Sequence, residues 1–293
     1  MNQQSPIILD GKLISTRTTE RLKSQISQDP FLSHRPPCLA TVLVGEDEAS
    51  KVYVGMKRRT CESIGMKSLH YPLPADTPIE ELRSLIQKLN IDERVDGILV
   101  QMPLPSHLRR YEPEIMRMIE PTKDVDGFSP RSIGENTFGN ETYGSCTPKG
   151  MVRLLEEYQL PIDGQEVVIV NRTNVIGKPL SMMFINRHAT VTICHSHTRD
   201  LDFHLKRADI IAVGVGRINF ITPERVKEGV IILDAGINRT PAGKLVGDVD
   251  FENVKEKCLA ITPVPGGVGP MTIAMLMENT YLSYQLHMKK KSE

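Results

Sequence analysis

The sequence predicts an α/β protein of two domains, and three observations lead to that prediction. The chain has 293 residues, about twice the length of an ordinary domain. Short apolar segments rich in β-branched residues alternate with longer segments whose apolar residues recur every three or four positions, which is typical of a parallel sheet covered by helices. Around residues 121–148 this periodicity fades into Gly, Asn, Ser and Pro, as expected near a domain boundary. We therefore expect an N-terminal α/β domain at 1–147, a Rossmann-like parallel sheet at 148–270, and an active-site cleft between them.

In the first half, short apolar strands alternate with amphipathic helices. The helices are predicted where apolar positions have helical spacing, at residues 18–28, 50–64 and 79–89, and Gly65 is a stop signal for the second of them. The strands are predicted at CLATVLVG (38–45), KSLHYPL (67–73) and DGILVQMPLP (96–105). Residues 121–148 are predicted to be loop.

The second half begins with a predicted helix at 149–158 and then gives the pattern of a dinucleotide-binding sheet. Another helix is predicted to start near Lys178 and Pro179. A final apolar helix at 271–286, within the segment 271–293, is expected to pack back on the N-terminal domain. The buried strands are predicted at residues 166–171, 190–194, 209–214, 230–236 and 258–262.

Composition and charge exclude several classes of protein. Lys plus Arg and Asp plus Glu number 36 each, so no overall field favours nucleic acid or an anionic membrane. The 5 cysteines are far apart and form no C-x-x-C pair, so neither a zinc site nor a disulfide framework is predicted. No long apolar segment suggests a membrane span, and the N-terminus lacks a secretory pattern. We expect a cytoplasmic protein without a bound metal.

A candidate cofactor loop lies in VVIVNRTNVIGKP, where a strand meets the first turn of a helix. Backbone N–H groups and the helix dipole favour a phosphate there, although only Gly177 matches a glycine fingerprint, and an ordinary strand–helix turn is the alternative. The next strand runs into CHSHTRD, in which no acidic residue for the ribose comes before Asp200. Arg172, Ser196 and His195 are therefore candidates for a 2′-phosphate, which favours NADP over NAD. The alternative is a polar loop with incidental His.

Further candidate residues lie in the first half. Tyr53 and Lys57 are four positions apart on a predicted helix and so share one face, which looks either into a cleft or into solvent. Gln101 ends a predicted strand, at the edge where α/β sheets bind ligands. Asp124 and Asp126 form a carboxylate pair in a loop, where turn capping is the ordinary role.

A rigid loop follows the last predicted strand. TPVPGGVGPMT (262–272) contains Pro and Gly at a density that excludes helix and sheet. A loop with so few side chains after a strand is predicted to lie with its backbone against a ligand.

In their shared order, the segments ASKVYVGMK, GILVQMPLP, KDVDGF, CTPKG, RTNVIGKP, ATVTICHSHT, DAGIN, GDVDF and TPVPGGVGPMT resemble the bifunctional methylenetetrahydrofolate dehydrogenase/methenyltetrahydrofolate cyclohydrolase family. The resemblance covers nearly the whole chain. It implies a homodimer of two-domain α/β subunits, tetrahydrofolate derivatives in the interdomain cleft, and NADP on the C-terminal sheet. It also implies a role in one-carbon metabolism and purine biosynthesis.

The resemblance implies a role for each matching residue. Asp126 is expected to accept from the donor edge of the pterin. The family usually has Gly-Arg-Ser where this chain has Asn171, Arg172 and Thr173, and we expect Asn171 to take the positive-φ conformation of the replaced glycine. The expected folate-site residues are Tyr53, Lys57, Gln101, Asp126, Pro263, Val264, Pro265, Gly266 and Gly267. The expected cofactor residues are Asn171, Arg172, Thr173, Ser196 and Ile237.

The predicted activity is oxidation of 5,10-methylenetetrahydrofolate by NADP, followed by hydrolysis of the methenyl product to 10-formyltetrahydrofolate. Lys57 is predicted to be the general base, with its pKa lowered by burial and by the substrate cation, and Tyr53 and Gln101 are predicted to align it. Two alternatives remain open on the residues. One is an NADP-dependent dehydrogenase of a small hydroxy or keto acid, and the other is a non-enzymatic folate or nucleotide binder.

Overall fold

A computed structural model of the protein describes residues 5–292. The β-strands are β1 (Ile7–Ile8), β2 (Cys38–Val44), β3 (Lys67–Leu73), β4 (Gly97–Val100), β5 (Glu166–Val170), β6 (Thr190–Cys194), β7 (Ile210–Val213), β8 (Val230–Asp234), β9 (Asn238–Arg239), β10 (Leu245–Val246) and β11 (Cys258–Ile261). The α-helices are α1 (Gly11–Ser27), α2 (Glu48–Ser63), α3 (Ile79–Ile91), α4 (Glu112–Met118), α5 (Pro130–Thr137), α6 (Cys146–Glu157), α7 (Gly177–Ile185), α8 (Leu201–Arg207), α9 (Phe251–Val254) and α10 (Val268–Ser292). No helix within residues 5–292 combines the length and apolar character needed to cross a membrane.

The chain folds into two compact units, and neither is a continuous segment. The predicted domains 1–147 and 148–270 are continuous, whereas here β1 pairs with β11 and so joins the sheet of the second half. The six-stranded unit contains residues 5–15, Asn136–Gly139 and Thr147–Thr272. The three-stranded unit contains Thr16–Glu135, Asn140–Cys146 and residues 273–292.

The six-stranded unit is built on a parallel sheet in the order β1-β11-β8-β7-β5-β6. After β5 the chain adds β6 on one side and then β7 on the other, so the direction of winding reverses at β5. In such sheets ligands bind outside the carboxyl ends of the strands at the reversal. The core beneath that edge is aliphatic and includes Val168, Val170, Ile211, Val213 and Ile232. This sheet confirms the predicted α/β fold class.

The three-stranded unit has β2 at the centre of a parallel sheet in the order β3-β2-β4. All 7 residues of β2 are buried, as expected for a strand with a neighbour on each side and both faces covered. Val42 and Ile98 pack with Leu82 and Ile86 of α3, which buries the apolar stripe that predicts this helix.

The greater part of α10, from Ile273 onward, belongs to the three-stranded unit. Its polar side chains are tied to that unit at several points. The Tyr281 hydroxyl donates to Asp29 Oδ2 at 2.7 Å, and the Tyr284 hydroxyl donates to the Arg35 carbonyl at 2.9 Å. The Ser283 hydroxyl donates to the Asp96 carbonyl at 2.6 Å.

The structure differs from the sequence prediction in the segment 121–148, which contains α5 and the start of α6. Its helix α5 begins at polar side chains. Ser129 Oγ accepts from Ser132 N at 3.2 Å, and the Ser132 hydroxyl donates to Asp124 Oδ2 at 2.7 Å. Caps of this kind satisfy the first N–H groups of a helix without any apolar period. The prediction of a loop here was wrong for that reason.

Candidate active site

Lys57 and Tyr53 lie on α2, which begins after Asp47, whose carboxylate accepts from Ser50 N at 2.8 Å. The two side chains share one face, as their spacing predicts, and Lys57 Nζ lies 4.8 Å from the centre of the Tyr53 ring. Lys57 is only 4% exposed, whereas Tyr53 is half-buried. Lys57 therefore lies in the interior of the three-stranded unit and not in solvent.

Gln101 connects the Lys57 amine to the carboxyl end of β4. Lys57 Nζ donates to Gln101 Oε1 at 3.1 Å, and Gln101 Nε2 donates to the Met102 carbonyl at 2.7 Å. The second bond fixes which end of the amide faces Lys57, because the nitrogen is committed to the backbone. The Gln101 backbone N–H donates to Val42 at 2.8 Å, so the residue is anchored to the central strand.

Burial shifts the pKa values of Lys57 and Asp126. Removal from water lowers the pKa of Lys57, and the negative charge of Asp126 opposes that shift. Burial likewise raises the pKa of Asp126, against the positive charge of Lys57. A lowered pKa makes it easier for the amine to lose its proton and then to act as a base.

The two carboxylates of the KDVDGF loop have different roles. Asp124 holds the loop, because its carboxylate accepts from the backbone N–H groups of Gly127 at 3.1 Å, Phe128 at 3.2 Å and Ser129 at 2.8 Å. Asp126 is half-buried and interacts electrostatically with Lys57. Capping thus accounts for Asp124, and Asp126 remains the candidate for substrate recognition.

The loop Pro263–Gly267 is fixed by the start of α1 within the six-stranded unit. Gly267 N donates to the Pro263 carbonyl at 2.9 Å, and Lys12 N donates to the Gly266 carbonyl at 2.9 Å. A Cβ on Gly11 would lie 1.8 Å from the Gly267 carbonyl oxygen, so only glycine fits. Sequence analysis did not identify Gly11, because its partner lies at the other end of the chain.

The candidate cofactor loop follows β5 and is closed by the side chain of Asn171. Asn171 Oδ1 accepts from Thr173 N at 2.8 Å, from Thr173 Oγ1 at 2.8 Å and from Gly177 N at 3.0 Å. Its Nδ2 donates to the Gly214 carbonyl at 2.6 Å. Non-glycine residues with positive φ within 5–292 are Gln159, His188, Asp200 and Asn219. The expectation of a positive-φ Asn171 was therefore wrong, since this residue is held by its amide in an ordinary backbone conformation.

The remaining cofactor candidates are exposed at the carboxyl edge of the sheet. Arg172 and Thr173 follow β5, Ser196 follows β6, and Ile237 follows β8 with 65% of its surface exposed. A Cβ on Gly177 would lie 2.0 Å from the Asn171 carbonyl oxygen, so the loop folds tightly against the start of α7. An exposed guanidinium and hydroxyl beside this glycine turn fit a phosphorylated dinucleotide.

The His195 ring helps to organise its own loop and remains a candidate for phosphate contact. Its Nδ1 accepts from His197 N at 3.1 Å, and its backbone N–H donates to Thr198 Oγ1 at 2.8 Å. With Nδ1 as the acceptor, Nε2 is the ring nitrogen that carries a proton and can donate to a phosphate.

Two buried carboxylates that sequence analysis missed organise the loops after β7 and β8. Asp234 Oδ1 accepts from Gly236 N at 2.8 Å and from Asp248 N at 3.1 Å, while its Oδ2 accepts from Val249 N at 2.9 Å. Burial raises the pKa of Asp234 to about 6. Asp248 in turn accepts from three consecutive backbone N–H groups, at 2.5, 3.1 and 2.8 Å, on residues 215–217. The segments DAGIN and GDVDF contain the signal for this network, namely Asp beside Gly.

A parallel sheet with a dinucleotide-type carboxyl edge, in one chain with a buried amine suited to proton transfer, defines a nicotinamide-dependent α/β enzyme. Comparison with known proteins gives the family. The tetrahydrofolate dehydrogenase/cyclohydrolase catalytic domain matches residues 9–126, and the NAD(P)-binding domain of the same family matches residues 145–288. The chain belongs to the tetrahydrofolate dehydrogenase/cyclohydrolase family.

Individual relatives are similar over nearly their whole length. The chain is 49% identical to the bifunctional protein FolD of Sulfurihydrogenibium sp. (strain YO3AOP1), over 95% of this chain and 98% of that protein. It is 45% identical to the FolD methylenetetrahydrofolate dehydrogenase/cyclohydrolase of Campylobacter jejuni, with a TM-score of 0.91, over 96% of this chain and 99% of that one. The Trypanosoma brucei enzyme, solved with NADP and an inhibitor, is 29% identical with a TM-score of 0.92, over 98% of this chain and 99% of that one.

These findings confirm the predicted family and the predicted bifunctional activity. The chain is an oxidoreductase and a hydrolase that acts on tetrahydrofolate derivatives. They also confirm the predicted nicotinamide cofactor, since the second domain is an NAD(P)-binding domain and the Trypanosoma brucei relative is complexed with NADP. The hydroxy-acid and non-enzymatic alternatives are not favoured.

Proposed function

We propose that the protein oxidises 5,10-methylenetetrahydrofolate with NADP and then hydrolyses the methenyl product, with Lys57 as the general base. The observation that carries this proposal is the buried Lys57 amine, held by Gln101 and lying against the Tyr53 ring. Burial lowers the pKa of Lys57 toward the range where its neutral form takes a proton.

In the first step, bound NADP would supply the hydride acceptor for oxidation of the one-carbon bridge of the folate. The protein contributes binding and orientation and moves no proton in this step. We assign Arg172 and Ser196 to the 2′-phosphate, because both are exposed at the reversal of the sheet and no acidic residue stands between the end of β6 and Asp200. NADP should therefore be preferred to NAD. The loop residues Asn171 and Thr173, and Ile237 after β8, complete the proposed cofactor site.

In the second step, water attacks the carbon of the methenyl cation. The neutral Lys57 amine removes a proton from the attacking water, and a proton is then delivered to the departing ring nitrogen. A charged ammonium would be repelled by the substrate cation, so the substrate itself reinforces the effect of burial on the pKa of Lys57. Tyr53 and Gln101 align the amine and the water by hydrogen bonds.

Substrate recognition is assigned to Asp126 and to the loop Pro263–Gly267. The carboxylate of Asp126 suits the adjacent N–H donors of a pterin. The loop offers backbone groups and little side-chain bulk, which suits close approach of a flat ligand. We also propose, on the family resemblance, that the enzyme is a cytoplasmic homodimer that supplies 10-formyltetrahydrofolate to purine biosynthesis.

Lys57→Met tests the proposed mechanism. We expect hydrolysis of methenyltetrahydrofolate to fall by about 10² to 10⁴, the usual contribution of general acid–base catalysis. Dehydrogenase activity should remain measurable, so the methenyl form should accumulate when methylenetetrahydrofolate and NADP are supplied. Lys51→Met is the matched control, because Lys51 lies on the same helix and is half-exposed beside Glu46 and Glu48. Normal hydrolysis by Lys57→Met would refute the assignment.

A further inference from the structure

Asn171, like Thr173, departs from the Gly-Arg-Ser that the family resemblance implies for the cofactor loop, and both polar atoms of its side chain form hydrogen bonds. The amide oxygen accepts three hydrogen bonds from Thr173 and Gly177, and the amide nitrogen donates to the Gly214 carbonyl. A glycine at this position would form none of these bonds. Where a glycine would leave the backbone free, the Asn171 side chain therefore links the loop after β5 to the loop after β7.

We propose that Asn171 is a positioning residue that selects NADP over NAD by fixing the backbone that carries Arg172. The inference rests on the proposed assignment of Arg172 to the 2′-phosphate. Arg172 lies directly between Asn171 and Thr173, and these two residues are bonded to each other through the Asn171 amide. The Cα of Arg172 is thereby held on both sides while its side chain is exposed.

The bond from Asn171 to the Gly214 carbonyl can hold the cofactor loop in place, because the segment that follows Gly214 is itself fixed. Gly214 is followed by the backbone N–H groups of Val215, Gly216 and Arg217, and all three donate to the buried carboxylate of Asp248. The Asp248 side chain is fully buried. Asn171 thus ties the loop of Arg172 to a rigid part of the sheet edge, which limits the directions in which the guanidinium can point.

The test compares catalytic efficiency with NADP and with NAD in Asn171→Ala and Asn171→Gly. The alanine variant removes the amide alone, and the glycine variant also restores the backbone freedom of the usual family residue. We expect kcat/KM with NADP to fall by about tenfold more than kcat/KM with NAD in both variants, the effect of losing one well-formed hydrogen bond to the 2′-phosphate. Equal losses with the two cofactors, or no loss with NADP, would overturn the proposal.

A double-mutant cycle with Arg172→Ala shows whether Asn171 acts through Arg172. We expect Asn171→Ala to cause no further loss of NADP selectivity when Arg172 is already alanine. Additive losses would overturn the positioning role while leaving the assignment of Arg172 intact. If Arg172→Ala alone does not change the preference for NADP, both the assignment and this inference fail.

Two controls separate positioning from unfolding. Hydrolysis of added methenyltetrahydrofolate needs no cofactor, so it should be normal in Asn171→Ala and would fall in a misfolded protein. Asn174→Ala alters the same exposed loop but removes only an acceptor for Lys178 Nζ at 2.8 Å, and it should keep the NADP preference of the unaltered enzyme. If Asn171→Gly does not fold, Asn171→Ala still decides the question, and a fall in its hydrolysis parallel to the NADP loss would overturn the proposal.

Discussion

Asp234 makes the stability of the six-stranded unit depend on pH in a direction unusual for an aspartate. Burial raises the pKa of Asp234 to about 6 in the folded protein, whereas an Asp in an unfolded chain has a pKa of about 3.9. Between these values the folded state binds more protons than the unfolded state. The stabilising contribution is therefore complete below about pH 4 and is lost as the pH rises through about 6.

The magnitude follows from the size of the shift. A difference of about 2 pKa units corresponds to about 3 kcal/mol, at roughly 1.4 kcal/mol per unit. The Asp234 side chain is almost fully buried, so little of this effect is screened by water. Asn at position 234 is neutral at every pH, so Asp234→Asn should not lose stability as the pH rises. Its amide has one acceptor oxygen in place of the two carboxylate oxygens that bind three N–H groups in the unaltered protein.

Melting temperatures of the unaltered protein and Asp234→Asn, measured from pH 4 to pH 7.5, test the prediction. The unaltered protein should lose roughly 6 to 12 °C relative to the variant across this range, at 2 to 4 °C per kcal/mol for a domain of this size. Asp209→Asn is a control, because Lys227 lowers the pKa of Asp209, so its stabilising contribution is lost only below about pH 4 and should stay nearly constant across this range. A temperature difference between the unaltered protein and Asp234→Asn that does not change with pH would refute the reasoning.

Three further predictions concern binding. Arg172→Ala should weaken NADP by about 1.5 to 3 kcal/mol, the value of a charge-assisted hydrogen bond, and equal loss with NAD in steady-state kinetics would contradict its role. Asp126→Asn should lower the dehydrogenase and cyclohydrolase activities together, since both begin with folate binding; loss of one activity alone would show a chemical role. Gly11→Ala should lower the melting temperature and raise the KM for folate, because its Cβ would lie 1.8 Å from the Gly267 carbonyl oxygen. An unchanged KM would show that the loop does not contact folate.

Strong periodicity made much of the fold predictable. The bounds of β3 and β6 agree with the sequence prediction. Four of the five residues of β6 are β-branched, and β3 lies between the turn residues Gly65 and Pro74. Within the segment 96–105, the strand that was expected to end at Gln101 ends at Val100, although Gln101 N still bonds to the central strand. The proline residues that follow lack the N–H group that a ladder requires. Sequence analysis did not predict α5, because this helix is marked by polar capping residues and not by an apolar period.

The candidate site was predictable where chemistry is local and unpredictable where it depends on distant partners. The shared face of Tyr53 and Lys57 follows from helical spacing alone. The bond from Asn171 to Gly214 spans 43 positions, so no local pattern could show that the amide would replace a strained turn. Asp248 is 31 to 33 positions away from residues 215–217, whose N–H groups it binds, so no local pattern could show these bonds either. Sequence identifies the residues, and only the fold shows what each one holds.

The discontinuous course of the chain has a consequence for how the protein is made on the ribosome. The three-stranded unit lacks residues 273–292 until the end of this sequence has been translated, although its sheet is complete at Val100. Until then Asp29 lacks the Tyr281 hydroxyl, and the surface that α10 will cover is open to solvent. The three-stranded unit therefore cannot reach its final packing until α10 has been synthesised, whereas the residues of the six-stranded unit are complete at Thr272, and the uncovered surface is open to aggregation in the meantime.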